Sequence, residues 1–275
     1  MKKILVPTDF SPIALNALHL AVELAIQNDG EIILLHAIQL PVMYDSMLMP
    51  ALNFEEEYFQ ELRKSVDSSM KKLKTEIDQE VKVTSHIAYG LPQLAILECA
   101  ANTKADLIIM GTTGASGIKE FFVGSNTEKI VRTAQIPVIA VKNKVTMKEV
   151  HHILFPNILT LNQDALVNQV KNIQACFKAK LHILFVNTPA LFQPDEITRK
   201  QMIAFVKHFL ITNYSLNIFN DVDQESGVIH FSNTTKIDMI AMGTHGRTGL
   251  NHLMSGSITE DVVNHVGLPI WTCQQ

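Results

Sequence analysis

The chain has 275 residues, 47% of them hydrophobic and 18% charged, with a formal net charge of −4. That length suits one large domain or two of about 140 residues, and the hydrophobic share excludes a disordered chain. Composition also excludes the basic stripe of a nucleic-acid binder, and no apolar run approaches the roughly 18–20 residues of a membrane span.

In chain order, Ile4–Val6 closed by Pro7 reads as a buried parallel strand, entered so directly that no signal peptide is expected. Ser11 and Pro12 supply an N-cap and a first-turn proline. The helix they open carries an apolar stripe of Ala14, Leu15, Leu18, Ala21, Val22, Leu24 and Ala25 and stops near Asn28-Asp29-Gly30. Glu31–Ile38 is the second strand. A loop from Pro41 to Asn53 holds Met43, Tyr44, Met47 and Met49, and precedes a charged helix over Phe54 to Asp78. The loop reads as a surface cover, or as a lid whose methionines adapt to a ligand. Val81–Ala88 alternates as the third strand. Gly90-Leu91-Pro92 turns into a helix expected to bury Leu94, Ala95, Leu97 and Ala100. Leu107–Met110, Ser125–Ala134 and Pro137–Val141 follow as strand, helix and strand. Such alternation predicts a parallel sheet with right-handed crossovers and helices on both faces.

After Lys142-Asn143-Lys144, a short polar linker, the order restarts. His152-Ile153-Leu154-Phe155-Pro156 matches Lys3-Ile4-Leu5-Val6-Pro7 at an offset of 149, and Lys180–Val186 repeats the second strand at the same offset. By Gly243 the offset has fallen to 132, so the second copy is shorter by seventeen residues between its second and fourth strands. Two tandem flavodoxin-like (Rossmann-like) α/β domains are expected, over residues 1–144 and 149–275, each a five-stranded parallel sheet. The fifth strands, Pro137–Val141 and Pro269–Cys273, should be edges, and pairing would remove the hazard of an exposed apolar edge.

The repeat carries a second pattern. Gly111, Gly114 and Gly124-Ser125 stand in the order G-x-x-G, nine residues, G-S, and Gly243, Gly246 and Gly256-Ser257 repeat it. Each copy lies between a strand and a helix, where backbone amides and the helix dipole bind phosphate. In an open parallel sheet this loop shares the ligand-binding edge with the end of strand one, Pro7-Thr8-Asp9. An acceptor carboxylate beside an amide-rich loop suits a nucleotide.

On these residues the chain resembles a tandem universal stress protein, over both halves and nearly every strand, and the resemblance implies that the fifth-strand edges pair, within the chain as a pseudo-dimer or between chains as a homodimer. The resemblance implies ATP, with or without Mg2+, bound by Pro7, Thr8, Asp9, Ala37 (the residue after the second strand), Met110, Gly111, Gly114, Gly124, Ser125 and Asn126. Thr113 and Ala115 stand where such loops often have a histidine and a basic residue, leaving phosphate charge to backbone and Ser125. The second copy departs the other way. Gly243, His245, Gly246, Arg247, Gly256, Ser257 and Ile258 keep the loop, with Arg247 available to a phosphate, but Ile158 occupies the Asp9 position. A branched apolar residue accepts no hydrogen bond; Asn157 beside it is a partial substitute. The second site therefore binds another ligand, binds nucleotide weakly, or keeps its loop for packing and regulation.

Other constellations are weaker. His151 and His152 are strand neighbours that point to opposite faces, which favours capping or surface roles over metal. His245, His252 and His265 lack an acidic or cysteine partner at ligand spacing. Three cysteines, Cys99, Cys176 and Cys273, are odd in number and far apart, as free thiols of a reducing cytoplasm are. Ser11, Ser125 and Ser257 have no recognisable base and orienter. Three functions remain open: a cytoplasmic stress-response protein that binds ATP and signals to a protein partner, a slow ATPase lacking a Walker lysine, and a non-nucleotide ligand or scaffold module.

Overall fold

Short apolar runs alternate with amphipathic helices twice over in the computed structural model, which describes residues 1–39, 52–77, 81–112, 124–244, 262 and 265–274. The first half runs β1 (Lys3–Pro7), α1 (Pro12–Asn28), β2 (Glu31–Ile38), α2 (Leu52–Glu76), β3 (Lys82–Tyr89), α3 (Pro92–Thr103), β4 (Leu107–Gly111), α4 (Ser125–Thr133) and β5 (Val138–Val141). The second runs β6 (His152–Pro156), α5 (Asp164–Phe177), β7 (Lys180–Asn187), α6 (Asp195–His208), β8 (Tyr214–Asn220), α7 (Gln224–Thr234), β9 (Met239–Thr244) and β10 (Ile270–Gln274). The second copy is shorter where β7 hands over to β8, with Asn187 and Tyr214 bounding less chain than Ile38 and Lys82 do in the first.

Local chemistry sets the ends of these elements. The Ser11 hydroxyl accepts from the Ala14 N–H at 3.2 Å and Pro12 takes the first helical position, as a proline without an N–H can. Asp29, not Gly30, takes the left-handed C-cap of α1, with φ of 49°. Gly30 serves a close approach instead: a Cβ there would lie 2.8 Å from the Lys2 carbonyl oxygen. One aspartate per half gathers the free amides that open the first strand. Asp106 Oδ2 accepts from the Lys2 and Lys3 N–H groups at 2.7 and 2.9 Å, and Asp238 Oδ2 from those of His151 and His152 at 2.9 Å each.

All ten strands form one sheet in the order β3-β2-β1-β4-β5-β10-β9-β6-β7-β8. Each half is a five-stranded parallel sheet with helices on both faces, and the strand order reverses between β1 and β4 and between β6 and β9. The fifth strands pair as expected from their apolar edges. β10 runs antiparallel to β5, with Trp271 opposite Ile139, so the seam is internal to the chain. On one face a single core joins the halves: α1, α2, α5 and α6 bury Leu20, Met70, Val170 and Phe205 with Trp271 from β10. The other face is split into one cluster under α3 and α4 and another under α7.

Two sequence expectations need correction here. Ala95 and Ala100 are buried as expected and Leu97 packs partly buried on the core, but Leu94 is 58% exposed and Ile96, at 3%, takes its place in the stripe. Pro92 starts the helix one turn before the stripe and sets its phase, leaving Ala95, Ile96 and Ala100 inward. Ala37 lies within β2 and not beyond it. The methionine-bearing loop, apart from its last residues Leu52 and Asn53 in α2, lies outside the described residues.

Candidate functional site

The first turns of α1, α3 and α4 and the carboxyl ends of β1, β2 and β4 enclose a cleft at the point where the strand order reverses. It holds about 660 Å³, counting the space at its open mouth. Of the residues picked from the sequence, Pro7, Thr8, Asp9, Ala37, Met110, Gly111, Gly124 and Asn126 all wall it. Ser125 opens α4 but is exposed and does not wall the cleft, whereas Thr127 does. Gly114 lies outside the described residues, as do Thr113 and Ala115. Leu35, His36, Ala14, Pro92 and Ile96 complete the wall. Sequence reasoning missed Thr127 and His36; the one signal for them was adjacency to Asn126 and Ala37.

Hydrogen bonds within the β1–α1 turn and to β2 hold Asp9 in place. Thr8 N–H donates to the Leu35 carbonyl at 2.8 Å, continuing the β1–β2 ladder one residue past Pro7. Thr8 Oγ1 accepts from the Phe10 N–H at 3.1 Å, and Asp9 Oδ1 from the Ser11 N–H at 3.0 Å. These side-chain turns hold Phe10 at φ of 63°, a left-handed conformation that costs a bulky residue about 1–2 kcal/mol. His36 Nδ1 lies 2.8 Å from the Thr8 carbonyl oxygen, which only accepts, so the imidazole donates from Nδ1. The His36 and Phe10 rings stack, with centroids 4.7 Å apart and planes at 27°.

Across the cleft, Gly111 ends β4 against α1. A Cβ at Gly111 would meet Ile13 Cγ2 at 2.9 Å and the Ala14 backbone nitrogen at 3.2 Å, so glycine is what lets strand and helix close on each other. The buried Thr127 hydroxyl donates to the Gly111 carbonyl at 2.7 Å and ties the first turn of α4 to the strand end. Gly124 caps α4 through its backbone alone, with no side chain covering the first amides of the helix. Those amides and the dipole behind them form the electropositive end that an anion prefers. The polar side chains of the described wall are the Asp9 carboxylate, the His36 imidazole, the Asn126 carboxamide and the Thr8 and Thr127 hydroxyls; the rest of that wall is apolar or backbone.

The second half rebuilds the same turn from different residues. Asn157 N–H donates to the Leu184 carbonyl at 2.9 Å, Asn157 Oδ1 accepts from the Leu159 N–H at 2.6 Å, and Leu159 has φ of 66°. Ile158 stands where Asp9 does and is 57% exposed. Asn157 Nδ2 donates to Gln163 Oε1 at 2.8 Å and Gln163 bonds Thr160, so the amide that was to replace the carboxylate is tied to its own loop. Val186 takes the Ala37 position by strand register, and α7 reaches it only because Gly227 has no Cβ, which would sit 2.4 Å from Val186 Cγ1. Gly243 ends β9 as Gly111 ends β4. His245, Gly246, Arg247, Gly256, Ser257 and Ile258 lie outside the described residues.

The remaining histidines and cysteines behave differently from expectation in two places. His152 is half-buried and does more than lie at the surface: its Nδ1 lies 2.9 Å from His182 Nε2, and His182 Nδ1 lies 3.0 Å from Ser215 Oγ, a chain across β6, β7 and β8. Burial, with His152 and Lys180 nearby, holds the His182 pKa below the ordinary histidine value. His265 has an acidic partner, Glu225 at 3.3 Å, supplied by α7. Among the described residues no three His, Cys, Asp or Glu side chains gather as a metal site. Burial pushes the Cys273 thiol up to about 11 and raises Cys99 as well, as expected of packed thiols. Among the described residues no helix is long and apolar enough to cross a membrane.

Comparison with known proteins agrees with this arrangement. The family model described as "Universal stress protein family" matches residues 1–142 and 221–274. Two universal stress proteins of Methanocaldococcus jannaschii are similar in sequence. MJ0531 is 32% identical over 142 residues, 51% of this chain and 82% of its own length. MJ0577 is 33% identical over 155 residues, 52% of this chain and 96% of its own. The crystal structure of a universal stress protein from Archaeoglobus fulgidus matches the fold of the whole chain, with TM-score 0.78, 20% identity, and coverage of 99% of this chain and 98% of the other.

Proposed function

The chain belongs to the universal stress protein family, and from that premise we propose that its first half binds an adenine nucleotide, ATP above all. The observation that carries the reading is the cleft itself, which gathers Asp9, Ala37, Met110, Gly111, Gly124 and Asn126 from four separate segments at the strand-order reversal. Apolar walls from Leu35, Ala37, Ile96 and Met110 suit a flat base, the half-buried Asp9 carboxylate accepts from ribose hydroxyls, and the amides opening α4 meet phosphate. The family resemblance, and not the described wall, adds Gly114 and Ser125 to the phosphate contacts and Mg2+ to the triphosphate. Binding, with at most slow turnover, is the activity proposed: among the described residues no lysine or arginine side chain walls the cleft to neutralise a transferred phosphoryl group.

The second half, from about residue 149, is the regulatory partner of the first. Its Asp9 position is Ile158, which offers no carboxylate acceptor, and its Ala37 position is the larger Val186. It contributes the β10 edge and half of the shared core, and a cytoplasmic stress-response role follows from ligand-dependent changes at the surface of this assembly.

Titration of the full chain with ATP tests the reading. Saturable binding is expected, weakened at least about tenfold by Asp9→Ala, the loss of a hydrogen bond to a charged group. Absence of saturable binding by the unaltered chain would overturn it.

A further inference from the structure

We infer that His36 and Phe10 are a positioning pair that fixes the Asp9 carboxylate for its ligand, an inference that rests on the nucleotide reading above. Asp9 sits between two residues that touch this pair. On one side the Thr8 carbonyl accepts from His36 Nδ1 at 2.8 Å; on the other Phe10, at φ of 63°, stacks its ring on the imidazole at 4.7 Å. The imidazole therefore grips the turn by main chain before Asp9 and by side chain after it. Since β2 carries His36 and also contributes Leu35 and Ala37 to the cleft, the grip ties the carboxylate to the wall opposite.

The second half shows that the turn does not need this pair in order to form. There the same φ of 66°, the same ladder bond to β7 at 2.9 Å and the same side-chain bond to the left-handed residue occur with Leu159 in place of Phe10. Strand register places Phe185 where β2 has His36, and Phe185 has no polar atom to offer the Asn157 carbonyl. That half has also exchanged the carboxylate for Ile158. The imidazole donor and the phenyl ring stacked on it thus accompany the carboxylate, and that pair is absent where the carboxylate is absent, although the backbone is alike. A role in folding the turn would have kept them in both halves; a role in aiming Asp9 keeps them in one.

A double-mutant cycle on the full chain, read by ATP titration and by urea unfolding, tests this. His36→Phe copies the second half and is expected to leave the unfolding midpoint close to that of the unaltered chain while weakening ATP about tenfold, the scale of one charge-assisted bond lost or misaimed. His36→Asn restores a side-chain N–H donor near the Nδ1 position and should recover most of the loss. In the Asp9→Ala background His36→Phe should cost nothing further, because its effect runs through the carboxylate. Equal losses in both backgrounds would overturn the inference, as would ATP affinity unchanged by His36→Phe in a chain whose affinity Asp9→Ala does lower. Failure of the unaltered chain to bind ATP would instead overturn the nucleotide reading beneath it.

Discussion

Position 37 separates the two halves most economically. Ala37 walls the open cleft, while Val186 at the same register point packs so close to α7 that it needs Gly227 on the facing helix. The first half has Ala95 where α7 has Gly227, counted from the starts of α3 and α7. Ala37→Val should therefore narrow the cleft and press on α3, lowering stability by about 1–3 kcal/mol as overpacking does. Urea unfolding and ATP titration read the two effects separately. Adding Ala95→Gly should relieve the strain without restoring affinity; recovery of both together would mean that the cleft tolerates the larger side chain. At this scale the sequence was informative wherever a residue acts through its own type. Asp9 against Ile158 and Gly111 with Gly243 were legible, because a carboxylate, a branched chain and a missing Cβ have local meanings. His36 and Thr127 were not, because each acts through a partner 28 or 16 residues away that only the sheet brings close.

Strand bounds came through the sequence well, since turn residues punctuate apolar runs: Glu31–Ile38 is β2 as read. Helix phase came through less well in α3, where leucines and alanines ring most of the helix and Leu94 fell on the outer side. Side-chain pairing across strands was not legible at all. His152, His182 and Ser215 sit on three neighbouring strands, and their meeting depends on register. This chain gives the second half a pH response. His182 is held neutral by burial, with His152 and Lys180 adding to it and Asp238 opposing. As pH falls through the ordinary histidine value, the unfolded chain takes up a proton that the folded chain refuses, so stability is lost until the lowered folded value is reached. Urea midpoints at pH 7.5 and 5.5 should differ, and the difference should shrink in His182→Asn. An equal pH dependence in both proteins would remove His182 from the explanation.

At the scale of the molecule, the antiparallel seam turns two repeats into one ten-stranded sheet with one continuous core on the α1/α5 side. Further ties cross near it. Met147 N–H donates to Glu23 Oε2 at 2.7 Å, Gln27 Nε2 donates to the Cys176 carbonyl at 2.6 Å, and Asn143 Nδ2 donates to the Gly267 carbonyl at 3.1 Å. α1 therefore runs from the cleft, where Ala14 walls it, to the junction with α5. Trp271 is the single tryptophan of the chain, fully buried opposite Ile139, so its fluorescence reports the seam alone. Unfolding followed by that fluorescence should coincide with unfolding followed by far-ultraviolet circular dichroism, since the halves share a core. A seam that opens in a separate, earlier transition would show two units held together weakly.

Stoichiometry joins these scales. Calorimetric titration of the full chain with ATP should give one site per chain, abolished or weakened at least about tenfold by Asp9→Ala and untouched by Ile158→Ala. Two equivalent sites per chain, or one site indifferent to Asp9, would contradict a single nucleotide site built around Asp9 in the first half.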